Sequence, residues 1–155
     1  MKPESLTREY PATRILLADD DPDDCFFFRE ALQKIDFPTQ LIIVHDVDEL
    51  LYYLRKSSAI PDILFLDLNM PKKNGFCCLQ EIRKNPNWQD LFIVMYSTYL
   101  DKSLIETLAE SGANHFIQKP ANFGQLVKMI ERTLEIAVEE KADPAKTSTF
   151  IIRAE

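Results

Sequence analysis

The sequence predicts a doubly wound α/β domain built on a parallel sheet, and three observations predict it. Short, continuous apolar runs recur along the chain, as in Ile15-Leu16-Leu17-Ala18 and Ile63-Leu64-Phe65-Leu66. Runs this short and without polar alternation read as strands buried on both faces, which helices covering a parallel sheet would require. Helical periodicity follows each run. Most runs also end in a polar group, so chemistry-bearing residues fall at one edge of the expected sheet.

The elements follow in order. A first strand is expected over residues 14–18. Asp20 or Asp21 then caps a helix ahead of Pro22, and Phe28, Leu32 and Ile35 face inward, leaving Phe26 on the opposite side. A second strand spans residues 40–45. Its helix starts at Asp46 or Asp48 and carries the stripe Val47, Leu50, Leu51 and Leu54. The third strand, residues 63–67, leads to a helix with Phe76, Leu79 and Ile82, in which Cys77 and Cys78 read as packing. The fourth, residues 91–96, leads to Leu104, Ile105, Leu108 and Ala109, with Gly112 suited to a left-handed exit. The fifth, residues 114–117, leads to Phe123, Leu126, Val127, Ile130, Leu134 and Val138. Single helices joining five parallel strands make a doubly wound sheet.

The expected division is an N-terminal extension over residues 1–12, a folded domain over 13–138 and a tail over 139–155. The tail reads as a frayed terminus. Its end, Thr149-Phe150-Ile151-Ile152-Arg153, has strand-like composition, and the alternative is packing on the domain edge or on a second chain.

Bulk properties exclude several classes. At 155 residues, with 46% hydrophobic and 28% charged, the chain reads as one globular domain. A net charge of −7 argues against a nucleic-acid-binding surface. No apolar run approaches the ~18 residues that cross a bilayer. The polar start, with Pro3 and Pro11, is no signal peptide. Three cysteines without ligand spacing suit reduced thiols in the cytoplasm. His45 and His115 read as structural or surface residues.

The strand ends would gather Asp19, Asp20, Asp67, Ser97, Thr98 and Lys119. Three acids in one cleft repel unless a cation is present, and Mg²⁺ takes such oxygen ligands. The backbone carbonyl of Asn69 could add another. Asp67, alone at the end of the central run, is the best nucleophile, since a carboxylate can accept a phosphoryl group. Lys119 and Ser97 would then serve two of the phosphoryl oxygens. An EF-hand register for Asp19, Asp21, Asp23 and Glu30 is disfavoured by Asp24 at the glycine position and by Pro22.

LLADD at 16–20, LDLNMPKKNG at 66–75, VMYST at 94–98 and HFIQKP at 115–120 resemble the receiver domain of two-component response regulators. The resemblance covers about residues 13–138. It implies a flavodoxin-like sheet in order 2-1-3-4-5. By resemblance, Asp19 and Asp20 are the metal-binding acids, Asp67 the phosphoacceptor, and Asn69 a carbonyl ligand to Mg²⁺. Ser97 is the switch hydroxyl, Lys119 the family lysine, and Phe116 the switch aromatic, which would turn inward on phosphorylation. Thr98 departs from the small residue usual there.

The resemblance also implies partners. A sensor histidine kinase or histidine phosphotransfer protein would donate to Asp67, a downstream protein would read the change, and self-hydrolysis would be slow. A homodimer would use the fourth helix, fifth strand and fifth helix. QEIRKNP at 80–86 and the tail loosely resemble small receivers paired with bacterial phytochrome kinases. The expectation is thus a stand-alone signalling receiver rather than a turnover enzyme. Two alternatives stand beside it. One is a receiver that serves only as a scaffold. The other is a haloacid-dehalogenase-like phosphohydrolase, disfavoured because its second acid falls at Asn69.

Overall fold

The computed structural model describes residues 12–146 and 149–154; the expected extension falls, but for its last residue, outside the described residues. The strands are β1 (Thr13–Ala18), β2 (Thr39–Val44), β3 (Ile63–Asp67), β4 (Phe92–Ser97), β5 (His115–Gln118) and β6 (Ile151–Ile152). The helices are α1 (Pro22–Gln33), α2 (Val47–Lys56), α3 (Gly75–Lys84), α4 (Lys102–Glu110) and α5 (Phe123–Ala142), with a 3-10 turn at Pro86–Trp88. All strand pairs are parallel, in the order β2-β1-β3-β4-β5-β6.

The strands have two inner faces because both sides are covered. Leu16, Ala18, Leu64, Leu66, Ile93, Met95 and Phe116 pack under α2, α3 and α4. Ile15, Leu17, Ile63, Phe65, Val94 and Tyr96 pack under α1 and α5. β3 and β4 are buried along their whole length, whereas the edge strand β2 alternates. Phe28 is wholly buried against Phe65 and Tyr96, at ring distances of 4.9 and 6.0 Å. Burying a side chain of that kind contributes about 1.5–3 kcal/mol.

Helix starts follow from local chemistry. Asp21 caps α1 by accepting from the N–H groups of Asp23 and Asp24, with Pro22 in the first turn. Asp46, not Asp48, caps α2. Gly112 sits at φ 104°, a conformation that side chains resist. Phe28, Leu32 and Ile35 face the core, and Phe26 and Phe27 are exposed. Cys78 is core; Cys77 points to solvent.

The tail corrects two expectations. The sheet has six strands, not five, and the frayed terminus is replaced by packing on the domain edge. Helix α5 continues four residues past 138, to Ala142. β6 then pairs with β5, matching Phe116 to Ile151 and Ile117 to Ile152. The cause is an otherwise open strand edge. The Phe116 N–H donates to the Phe150 carbonyl at 3.0 Å, and Phe150 and Ile151 pack on the core. His115 Nδ1 lies 3.1 Å from the carbonyls of both Thr149 and Phe150.

Candidate functional site

The strand order reverses between β1 and β3, which opens a crevice at the carboxyl ends of these strands. Asp19 stands at the end of β1 with no exposed surface. Its Oδ1 accepts from the Asp21 N–H at 3.0 Å. Its carbonyl accepts from the Cys25 thiol, and burial raises that thiol's pKa to about 11, which keeps it protonated. Asp20 next to it is exposed. Asp67 ends β3 at 3% exposure and accepts from the Asn69 N–H at 3.0 Å.

Oxygen atoms from Asp19, Asp20 and Asp67 lie within 4.8 Å of one another. Burial pushes the Asp67 carboxyl up to about 6, against the Asn69 N–H and Lys119, which pull it down, while Asp19 adds to the rise. Two buried acids and one exposed acid, all hard oxygen donors, fit a divalent cation.

Lys119 follows β5, and its N–H donates to the Ser97 carbonyl at 2.8 Å, which fixes the lysine beside β4. Its Nζ reaches Asp24 at 2.8 Å, Asp19 at 2.9 Å and Asp67 at 3.3 Å. The same Nζ lies 4.9 Å from the Tyr96 ring centroid. Burial alone would lower the lysine's pKa, but the hydrogen bonds to Asp24 and Asp19 win and hold the ammonium above its ordinary value. Ser97, almost fully buried, accepts from the Tyr99 N–H at 3.1 Å and from the Asn69 amide at 3.4 Å.

The structure therefore brings Asp19, Asp20, Asp67, Asn69, Ser97 and Lys119 together. Phe116 lies inside, with no exposed surface, so the expected inward turn is already complete here. Thr98 is exposed, and its carbonyl accepts from the Gln118 amide. Sequence reasoning missed Asp24 and Tyr96 as partners of Lys119. The signal for Asp24 was its place three residues after the cap Asp21, because side chains there lean back toward the helix start. Gly75 was another omission. A Cβ on it would meet the Asp67 carbonyl at 2.4 Å, so α3 begins directly behind the acid.

An open parallel sheet with a buried acidic cluster and a lysine at its carboxyl edge defines a doubly wound α/β protein whose site suits metal and phosphate. Residues 15–131 match the response regulator receiver domain model, and the chain belongs to that family. It is 29% identical over 140 residues to response regulator Rcp1 of Synechocystis sp., covering 87% of this chain and 95% of Rcp1. It is 33% identical over 121 residues to the transcriptional regulatory protein CpxR of Escherichia coli, covering 78% of this chain. It spans only 49% of CpxR. The crystal structure of the phosphorylated cyanobacterial phytochrome response regulator RcpA superposes with a TM-score of 0.76 at 30% identity, over 83% of this chain and 95% of RcpA. The Mn²⁺-bound form of Rcp1 superposes with a TM-score of 0.70 at 26% identity, over 89% and 98%. Among the described residues no helix is long and apolar enough to cross a membrane.

Proposed function

We propose that this receiver takes a phosphoryl group onto Asp67 from a histidine kinase or histidine phosphotransfer protein, and that the change selects its protein partners. One observation carries the reading. A buried carboxylate at the end of the central strand stands with a second buried acid, an exposed acid and an ammonium in a single cluster.

An Asp67 oxygen bonds to phosphorus while the bond from phosphorus to the donor imidazole breaks, and its electron pair stays on that nitrogen. Lys119 donates to one phosphoryl oxygen and the Ser97 hydroxyl to another. Ser97 Oγ already accepts from Tyr99 and Asn69, which leaves its O–H as the donor. Asp19, Asp20, Asp67 and the Asn69 carbonyl are the proposed ligands of Mg²⁺, which when bound neutralises charge on the phosphoryl oxygens. Phe116 starts buried, so the reading has the buried Ser97 move and Thr98, Tyr99 and Leu100 just beyond it present the change at the surface. Slow hydrolysis of the acyl phosphate resets the molecule.

The working unit is residues 13–138, with the tail as its sixth strand, acting in the cytoplasm. The description of RcpA as a phytochrome response regulator supports a phytochrome-class sensor kinase as donor. A homodimer through α4, β5 and α5 is a second element of the reading. It is supported by a groove of about 570 Å³ between α4 and α5, floored by β6 rather than β5 and lined by Ile105, Ala109, Ile136 and Ile151 with Glu106 and Arg132 among them.

The test is intact mass after incubation with acetyl phosphate and Mg²⁺. A single phosphoryl adduct, lost in Asp67→Asn and removed by hydroxylamine, supports the reading. No adduct would leave the scaffold alternative.

A further inference from the structure

The ammonium of Lys119 has three N–H donors and three carboxylate partners. Its shortest contact is to Asp24, at 2.8 Å, and its longest to Asp67, at 3.3 Å. Asp24 belongs to α1 and is neither on a strand end nor in the acidic cluster with Asp19, Asp20 and Asp67. The lysine side chain is 9% exposed, and the Tyr96 ring bounds it at 4.9 Å. Little room remains for the ammonium to move without trading partners.

We propose that Asp24 is a positioning residue that holds Lys119 away from the acceptor carboxylate and restrains phosphoryl uptake at Asp67. The inference rests on Asp67 being the phosphoacceptor. With acetyl phosphate as donor, an Asp67 oxygen bonds to phosphorus and the phosphorus–oxygen bond to the acetyl group breaks. The electron pair leaves on acetate. The phosphoryl oxygens then need the Lys119 charge. A donor engaged with Asp24 must loosen that ion pair first, since all three of its N–H groups are already in use. Asp24 therefore competes with the phosphoryl group for the same ammonium.

The Asp24 side chain is 34% exposed, so solvent screens the pair and the competition is moderate. Asp24→Asn keeps a polar group of the same shape but removes the charge. At saturating Mg²⁺ the half-saturating acetyl phosphate concentration should fall about threefold to fivefold, the range that a partly exposed ion pair carries. Asp24→Glu keeps the charge and can still reach the lysine, so it should return the value toward wild type. Asp23→Asn removes the same charge from an exposed neighbour on that turn and should leave the value in place.

The readout is adduct formation by intact mass across a donor titration, with urea midpoints recorded for every variant. A merely structural role for Asp24 at the start of α1 would move the midpoint and not the half-saturating concentration. Equal shifts in the Asp23 and Asp24 variants would reduce the effect to general charge and overturn the proposal. So would an unchanged or raised value in Asp24→Asn while wild type still forms its adduct. No adduct in wild type would overturn the phosphoacceptor reading and this inference with it.

Discussion

His115 on β5 and Glu140 on α5, 25 residues apart, meet with His115 Nε2 at 3.0 Å from the Glu140 carboxylate. The other ring nitrogen faces the Thr149 and Phe150 carbonyls, so one imidazole ties helix, central sheet and tail together. The histidine side chain is 3% exposed, so removing it takes a partner from the Thr149 and Phe150 carbonyls and leaves a gap away from water. His115→Ala should cost about 1–3 kcal/mol. It should also speed amide exchange at Phe116, whose N–H bonds to Phe150. Urea unfolding and hydrogen exchange check both, and unchanged protection at Phe116 would show that β6 holds without the histidine.

Asp67 makes stability depend on pH in cation-free buffer. Burial raises its folded pKa from the ordinary 3.8 to about 6. The folded chain thus binds more protons than the unfolded one between those values. The contribution is complete below the unfolded pKa and is lost as pH rises through the folded one. Asp67→Asn removes that loss and should be more stable than wild type by about 3 kcal/mol at pH 7.5. The gap should close by pH 4. A gap that ignores pH in urea titrations at both values would contradict the sign.

Gly75→Ala tests the close approach behind Asp67. The added carbon would lie 2.4 Å from the Asp67 carbonyl and 2.9 Å from the Leu68 Cα, and backbone atoms cannot swing aside. The start of α3 must shift instead. A loss of about 1–3 kcal/mol is expected, as for overpacked interiors, with slower adduct formation at Asp67. Wild-type values for both would mean that the helix start is looser than this geometry.

A divalent cation should raise stability, because the folded state gathers the three carboxylates and the unfolded chain does not. At a hundred times its Kd, the gain is about 2.7 kcal/mol. Asp20 is exposed, so Asp20→Asn should leave cation-free stability within about 0.5 kcal/mol of wild type. It should still shift the Mg²⁺ or Mn²⁺ titration to higher concentration. Coincident titration curves for the two proteins would remove Asp20 from the ligand set.

The strand ends were legible in the sequence because apolar runs covered on both faces stop abruptly at Asp19, Asp67, Ser97 and Lys119. Periodicity also fixed which faces of α1 and α2 turn inward, from Phe28 and Leu50. Two things escaped. The strand-like composition of residues 149–153 was visible and edge packing stood as the alternative, but the pairing of the two-residue β6 depends on an edge made elsewhere in the chain and on the His115 contacts, which no local pattern encodes. The grip of Asp24 on Lys119 depends on how α1 lies against the sheet, and its place three residues after the cap Asp21 marks the direction in which it leans but not the lysine it meets. Helix ends also outran the pattern, since α5 keeps its backbone bonds through charged residues to Ala142.

The ion pair between Asp19 and Lys119 joins residues one hundred positions apart. In the sheet β3 and β4 lie between β1 and β5, so both must find their parallel neighbours before that pair can form, and parallel pairing is slow because each crossover closes a long loop. The pocket around Asp67 is thus among the last things the chain can complete. On the proposed function, competence to take a phosphoryl group would therefore report that the central strands have paired. A half-assembled chain carries every residue of the pocket and still cannot intercept a signal meant for the native protein.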